Sequence, residues 1–206
     1  MSDRSIAREL ALLILGQRNG RGDRAPGVDQ LLAQALASLA SHLRDALDRS
    51  AEDLQHVQQA LLESELAEGD LPRVRQHLSQ GLERSEQVLN RLSASLDLPR
   101  LLSLADQTSL RSWALERSQA VIDAQPDLDR RIDAVMEGWR LTRLARIDQD
   151  ILRLAVVEIE TFGTPSAVAC NEAVELAHRY SDEAGRRMIN GVLRRYTVAL
   201  DHPLQS

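Results

Sequence analysis

Lysine is absent from this chain, and cysteine is nearly so. All 25 basic residues are arginine, so the sequence offers neither the lysine of a phosphate-binding P-loop nor a lysine able to form a Schiff base. Arginine remains suited to phosphate contacts and to stacking on nucleobases. The single cysteine, Cys170, excludes an internal disulfide and favours a reducing compartment, which we expect to be the cytoplasm.

Aromatic residues, glycine and proline are also scarce. Aromatic residues make up 2% of the chain, beside 10 glycines and 6 prolines, whereas leucine, alanine, arginine, glutamine and acidic residues dominate. Because most of these residues lose little side-chain freedom in a helix, the composition predicts an all-α fold. No run of about 18 apolar residues is present, so the sequence predicts no membrane span and no membrane partner.

The acidic charge is concentrated in the middle of the chain. Residues 28–127 carry nine arginines against sixteen acidic residues, whereas residues 1–27 carry five arginines against three acidic residues. The two ends therefore hold local basic clusters, although the net charge is −6.

The spacing of apolar residues predicts long helices in the N-terminal half. Steps of three, four or seven residues predict helices over residues 4–17, 28–68 and 74–96, and a further helix that ends near residue 125. We expect Pro126 to end that helix and to divide a single domain, residues 1–206, into an N-terminal half, 1–125, and a C-terminal half, 126–206. The acidic helices of the N-terminal half are expected to pair as a hairpin.

In the C-terminal half, cap residues precede each predicted helix. Asp148, Thr164 and Ser181 are types that favour the N-cap position, and Gly163 is expected to end the first of these helices. The dipeptide Asn190-Gly191 is a strong hairpin signal, but the apolar residues around it fall at helical spacing. We therefore expect Asn190-Gly191 to lie inside a helix, with a neighbouring backbone packed closely against the glycine.

No catalytic or metal-binding motif stands out. Glu175 and His178 form one Glu-x-x-His pair, whereas a helical di-iron centre needs two such pairs and two further carboxylates. We therefore expect neither an enzyme nor a metal or other cofactor.

Binding of single-stranded RNA is the chemistry that the arginines favour. Arg4 and Arg8 are four residues apart and share one face of the first helix. Arg186 and Arg187 lie close to Tyr180 and Met188, and single-stranded RNA is held by cations on phosphates together with flat or polarisable side chains against bases. Arginines on a solvated helix face are the alternative interpretation.

The C-terminal half contains a series of blocks with a distinctive order and spacing: Trp139, Arg143-Leu144, Ile151-Leu152-Arg153-Leu154-Ala155 with Glu158, Pro165, Asn171-Glu172-Ala173-Val174-Glu175-Leu176-Ala177, and Asn190-Gly191-Val192-Leu193. In this series the chain resembles a known family, the bacterial NusB transcription antitermination factors. The first helix matches less closely, at Ala7-Arg8-Glu9.

The resemblance implies a NusB-like helical bundle of two small sub-bundles, here with an extended helical hairpin inserted in the N-terminal half. It implies binding of boxA-type single-stranded RNA together with the ribosomal protein NusE, as part of an RNA polymerase antitermination complex that promotes transcription of ribosomal RNA operons. By position, the resemblance assigns RNA contacts to Arg8, Tyr180 and Met188, and a NusE contact to Asp148. Met188 stands where the family commonly has an aromatic residue.

Two other functions remain open from the sequence. The acidic hairpin favours a helical adaptor that keeps the fold but no longer binds RNA. An RNA-binding module of the type fused to ribosomal RNA methyltransferases is a further alternative, although the chain has no room for that catalytic domain.

Overall fold

The fold is built from α-helices. A computed structural model describes residues 3–18, 26–67, 69–95 and 107–201. No strand occurs among these residues, and the all-α prediction is confirmed. No helix in the same ranges is long and apolar enough to cross a membrane. The helices are α1 (Asp3–Gly16), α2 (Val28–Leu66), α3 (Leu71–Ser95), α4 (Thr108–Ala134), a 3-10 helix (Leu141–Arg143), α5 (Arg146–Glu160), α6 (Ser166–Tyr180) and α7 (Glu183–Asp201).

The chain divides into two compact units. The first unit combines Met1–Ala35 with Leu104–Ser206, and therefore contains α1, the start of α2 and all helices from α4 onward. The second unit, Leu36–Ser103, contains the rest of α2 and α3. The predicted division at 125/126 does not coincide with these units.

Helix α5 forms the centre of the first unit. It contacts α1, α4, α6 and α7, and every residue from Asp150 to Glu158 is buried. The segment Leu154–Val157 explains this position, because it is apolar around the whole circumference of the helix and such a helix is stable only when surrounded. The charged residues of α5 are consequently drawn into the interior with it.

An ion cluster compensates the most deeply buried of these charges. The Glu158 side chain is 1% exposed and accepts a hydrogen bond of 2.8 Å from Nε of Arg8 on α1. Nε of Arg117, on α4, lies 3.4 Å from its other carboxylate oxygen. The guanidinium of Arg117 lies between two aromatic rings, 3.4 Å from the ring centre of Trp113 and 4.0 Å from that of Phe162. The cluster therefore joins α1, α4 and α5.

In the second unit, α2 and α3 form an antiparallel hairpin with a narrow seam. Asp53 on α2 lies 2.8 Å from Arg91 on α3, and Glu63, further along α2, lies 3.3 Å from His77, nearer the start of α3. Small buried residues on both helices line the seam: Ala46, Ser50, Ala60, Gly81 and Ser95. The predicted helical hairpin is thus present.

Pro126 does not end a helix, contrary to the prediction. Helix α4 continues through it to Ala134. A proline inside a helix costs about 3 kcal/mol, but the helix is anchored on both sides of Pro126 by the buried residues Val121, Leu128 and Ile132. Tertiary packing therefore overrides the local signal.

The predicted N-caps are displaced along the chain. Ala145 is the N-cap of α5, and Asp148 is its third residue, so the capping role of Asp148 was wrong. Pro165, not Thr164, is the N-cap of α6. At α7, Oδ1 of Asp182 accepts a 2.7 Å hydrogen bond from the backbone N–H of Gly185, so Asp182 caps that helix instead of Ser181.

Asn190 and Gly191 lie within α7, which confirms the helical prediction. The expected close approach of another backbone is wrong, because a Cβ added at Gly191 would meet only Nη1 of Arg195, at 3.8 Å. The crowded glycine is Gly185, where an added Cβ would overlap Oγ of Ser181 and lie 2.7 Å from Oδ2 of Asp148. Sequence reasoning identified the correct helix but the wrong glycine.

These two glycines give a matched pair of substitutions. We expect Gly191→Ala to raise the free energy of unfolding by about 1 kcal/mol, because alanine favours the helix and finds space. Gly185→Ala is expected to lower it by about 1–3 kcal/mol, since its methyl group would overlap the buried Asp148 carboxylate. Urea unfolding measures the free energy of unfolding of both variants. If both variants were stabilised or both destabilised, the contact between Gly185 and Asp148 would be contradicted.

The ion cluster predicts a large loss of stability on Glu158→Gln. Removing this charge leaves Arg8 and Arg117 buried without their main partner, which we expect to cost about 3–5 kcal/mol. Glu175→Gln, at an exposed position on α6, is the control and should change stability by about 0.5 kcal/mol or less. Equal urea midpoints for the two variants would show that the cluster does not support the fold.

Candidate nucleic-acid interface

Arg4 and Arg8 line the same cleft in the first unit, but they differ in exposure. The cleft has a volume of about 470 Å³. Arg4 is exposed to solvent, whereas Arg8 is 4% exposed. The remaining lining residues come from α4, from the segment that leads into α6 and from α6 itself: Trp113, Arg117, Phe162, Gly163, Thr164, Pro165, Val168 and Glu172.

Arg8 is already engaged by carboxylates. Besides its bond to Glu158, its Nη1 lies 3.6 Å from Oε2 of Glu172 on α6. A direct phosphate contact by Arg8 therefore requires the phosphate to replace Glu172 or to share the guanidinium with it. The predicted role of Arg8 in RNA binding stays a prediction, and its structural role is the one visible in the fold.

Sequence reasoning missed the aromatic part of this cleft. Trp113, Arg117 and Phe162 stack on one another, although Phe162 is 45 residues after Arg117 in the chain. Burial lowers the pKa of Arg117, and the neighbouring Glu158 opposes that effect. No linear motif announces such a stack, and the only signal was that Trp113 belongs to a chain with few aromatic residues.

Tyr180 lies on α6 at the side of α1. Its hydroxyl donates a hydrogen bond to Oε1 of Glu9, and Nη1 of Arg179 lies 3.2 Å from Oε2 of the same carboxylate. Glu9 is 3% exposed, so the bond fixes Tyr180 by its polar end while the ring stays half-buried. The predicted contact of Tyr180 with an RNA base stays a prediction.

Arg186, Arg187 and Met188 are consecutive residues near the start of α7. Arg187 is exposed and pairs with Glu183, four residues earlier. Nη1 of Arg186 lies 2.8 Å from Nδ1 of His178 on α6, and Met188 is half-buried. Exposed pairs such as Arg187–Glu183 contribute little to stability, so a phosphate can compete for this arginine at low cost.

Acidic residues interrupt the basic surface. A small cleft between α1 and α6, of about 200 Å³, is lined by Ser5, Glu9, Glu172, Glu175, Leu176 and Arg179. Glu172 accepts a 3.0 Å hydrogen bond from the hydroxyl of Ser5. No sequence pattern indicated that these carboxylates line one cleft, and they make the candidate interface mixed in charge.

Asp148 is placed in the interior. It is 5% exposed, packs against Gly185 at the start of α7, and its Oδ1 has no hydrogen-bond partner among the described residues. The N-terminal end of α7 favours a nearby carboxylate through the helix dipole. A direct contact between Asp148 and a protein partner stays a prediction, and this burial does not favour it.

The described residues offer binding chemistry of one kind, namely arginine guanidinium groups beside aromatic and thioether surfaces. No group of three acidic, histidine or cysteine side chains is arranged to hold a metal ion in the described ranges. Burial raises the pKa of the Cys170 thiol, which disfavours the reactive thiolate.

Comparison with known proteins identifies the family. The model of the NusB family matches residues 71–197, so the match includes α3 and α4, where sequence reasoning found no family motif. A transcription antitermination protein NusB of Gloeothece citriformis is 41% identical over 96% of this chain and 94% of its own length. The protein of the same name from Synechococcus elongatus is 43% identical over 97% of this chain and 95% of its own length. The one from Gloeobacter violaceus is 40% identical over 95% of this chain and 94% of its own length.

A solved structure of NusB from T. maritima is also similar. It superposes with a TM-score of 0.44 at 23% sequence identity, over 72% of this chain and 90% of that chain. The family match spans more than half of the sequence, and the relatives match nearly all of it. This chain therefore belongs to the NusB family.

Proposed function

We propose that this NusB family member is a transcription antitermination protein that binds boxA-type single-stranded RNA together with the ribosomal protein NusE. The observation that carries this proposal is the match, at 41% identity over 96% of the chain, to a transcription antitermination protein. Together they would act within an antitermination complex of RNA polymerase. Because the ligand is nascent RNA, we also propose that the protein acts in the cytoplasm.

The exposed arginines support contacts to phosphate. Arg4 on α1 and Arg187 on α7 are exposed, and neither pairs with a buried carboxylate in the part of the chain that the structure describes. Arg186 has a half-buried side chain with a histidine neighbour. We therefore assign phosphate contacts first to Arg4, Arg186 and Arg187, with Arg8 contributing mainly positive potential from beneath the surface.

Base contacts are assigned to Tyr180 and Met188. The bond of the Tyr180 hydroxyl to Glu9 orients the ring before RNA arrives, which reduces the entropy lost on binding. Met188 is polarisable but not planar, so it supports a base less well than an aromatic ring does. Together with the nearby carboxylates, this weaker platform favours RNA binding that depends on NusE.

The RNA interface predicts a measurable salt dependence. In gel-shift titrations with boxA RNA and NusE, we expect the double variant that combines Arg4→Ala and Arg187→Ala to bind the RNA less tightly. Losing two phosphate contacts should make the plot of log binding constant against log salt concentration shallower, by about 1.4 in its slope. Arg130→Ala is the control, because Arg130 is exposed on α4 and pairs only with Asp127 among the described residues. Unchanged slopes in the double variant would argue against this surface.

A protein adaptor that no longer binds RNA is the second candidate. The observation that favours it is the acidic cleft of Glu9, Glu172 and Glu175 beside the predicted surface, together with the engagement of Arg8 by carboxylates. Purification of the chain from untreated cells, followed by sequencing of bound RNA, separates the two candidates. Protein partners that survive RNase treatment, with no RNA recovered from untreated lysate, would favour the adaptor.

A further inference from the structure

The second compact unit exposes many leucines. Nine leucine side chains on α2 and α3 leave 41% or more of their surface accessible: Leu47, Leu54, Leu61, Leu62, Leu66, Leu71, Leu78, Leu82 and Leu89. Single exposed leucines are ordinary on a protein surface. A group of this size is typical of an interaction surface, because removing apolar surface from water lowers the free energy.

Six of these leucines share one face of the hairpin. On α2, Leu47, Leu54 and Leu61 recur every seven residues, and each directly follows a residue of the seam with α3. On α3, Leu78, Leu82 and Leu89 likewise directly follow the seam residues His77, Gly81 and Val88. Since the helices are antiparallel, the residue after a seam position lies on the same side of the hairpin in both. These six residues are called the leucine face below.

The edge of the leucine face on α2 carries opposite charges at its two ends. Arg44 lies three residues before Leu47, and Glu65 lies four residues after Leu61, so both share the stripe of α2 beside the leucines. Arg44 is ten residues before Leu54 and Glu65 is eleven after it, which places them about 15 Å on either side of that leucine. Neither has an ion-pair partner among the described residues.

This charge pattern distinguishes two possible partners of the leucine face, a basic helix of another protein and a second copy of this chain. The unit as a whole carries seven arginines against eleven acidic residues over 36–103, which would suit a basic partner helix. Such a helix would meet Arg44 as a like charge at one end of the face. An antiparallel copy of α2 instead brings Glu65 to Arg44 at both ends of the contact, so a second copy of this chain matches the face better.

We propose that the leucine face is a homodimer interface in which two α2 helices pack antiparallel about a two-fold axis at Leu54. In this arrangement Leu47 of one copy meets Leu61 of the other, and Arg44 meets Glu65 of the other copy. The contact is isologous, so every interaction occurs twice and the assembly closes as a dimer. The inference is independent of RNA binding, since the leucine face belongs to the second unit alone.

Sedimentation equilibrium of the full chain tests the proposal. We expect a reversible dimer, and we expect Leu54→Glu to raise its dissociation constant at least about a hundredfold, because two carboxylates would be buried at the axis. Leu66→Glu is the matched control, since Leu66 is 86% exposed on α2 but lies off the leucine face. Circular dichroism verifies that both variants keep their helix content.

Charge reversal tests the antiparallel register. Arg44→Glu alone and Glu65→Arg alone should each weaken the dimer about tenfold, because two attractive pairs become repulsive in each variant. The double variant should restore the dissociation constant of the natural chain, since each new glutamate then meets a new arginine.

Three results would overturn the proposal. The first is a natural chain that stays monomeric up to about 100 µM, a concentration at which an interface of this kind should associate. The second is a dimer that Leu54→Glu does not weaken, because its interface would lie elsewhere. The third is a double reversal that dissociates as readily as the single variants, which would exclude the antiparallel pairing of α2 helices.

Discussion

The buried carboxylate of Glu158 is the constraint on which the first unit depends. An ionised group 1% exposed to water is tolerated only when it is paired, and here the partners come from two other helices. Arg8 fixes the position of α1 against α5, and Arg117 fixes that of α4. The stack of Arg117 between Trp113 and Phe162 completes the arrangement. One charge thereby specifies how three helices meet.

The same constraint shapes the RNA interface. The family resemblance assigns Arg8 to RNA, but the fold already uses its charge to neutralise Glu158 and Glu172. We therefore assign the proposed phosphate contacts to arginines that the core does not need, on α1 and α7. Glu9 has a comparable effect at Tyr180, since it orients the ring but adds a carboxylate beside the surface. A mixed-charge surface of this kind accounts for the proposed dependence of RNA binding on a protein partner.

The hairpin of α2 and α3 is packed through small side chains and not around a buried charge. Alanine, serine and glycine line much of its seam beside Val88, which lets α2 and α3 approach closely. Six leucines stand one position further around the two helices and remain exposed. The hairpin therefore leaves an apolar face exposed, which the proposed dimer would cover. Relatives that match over 95–97% of the chain have a similar overall length, so this region is not an addition peculiar to this protein.

Composition and periodicity were sufficient to predict the helices and the helical state of Asn190-Gly191, because these properties depend on local propensity. The family was indicated separately, by the resemblance of the C-terminal motifs and their order to those of a known family. The ends of helices and the fate of individual charges were not predictable in this way. Pro126 stays inside α4 because buried residues on both sides hold the helix together, and Gly185 is the crowded glycine because α5 passes beside it. Arg8 and Asp148 read as surface residues in the sequence, yet both are buried. Their roles are decided by carboxylates, helix ends and rings that lie far away in the chain, and only the tertiary structure brings those groups together.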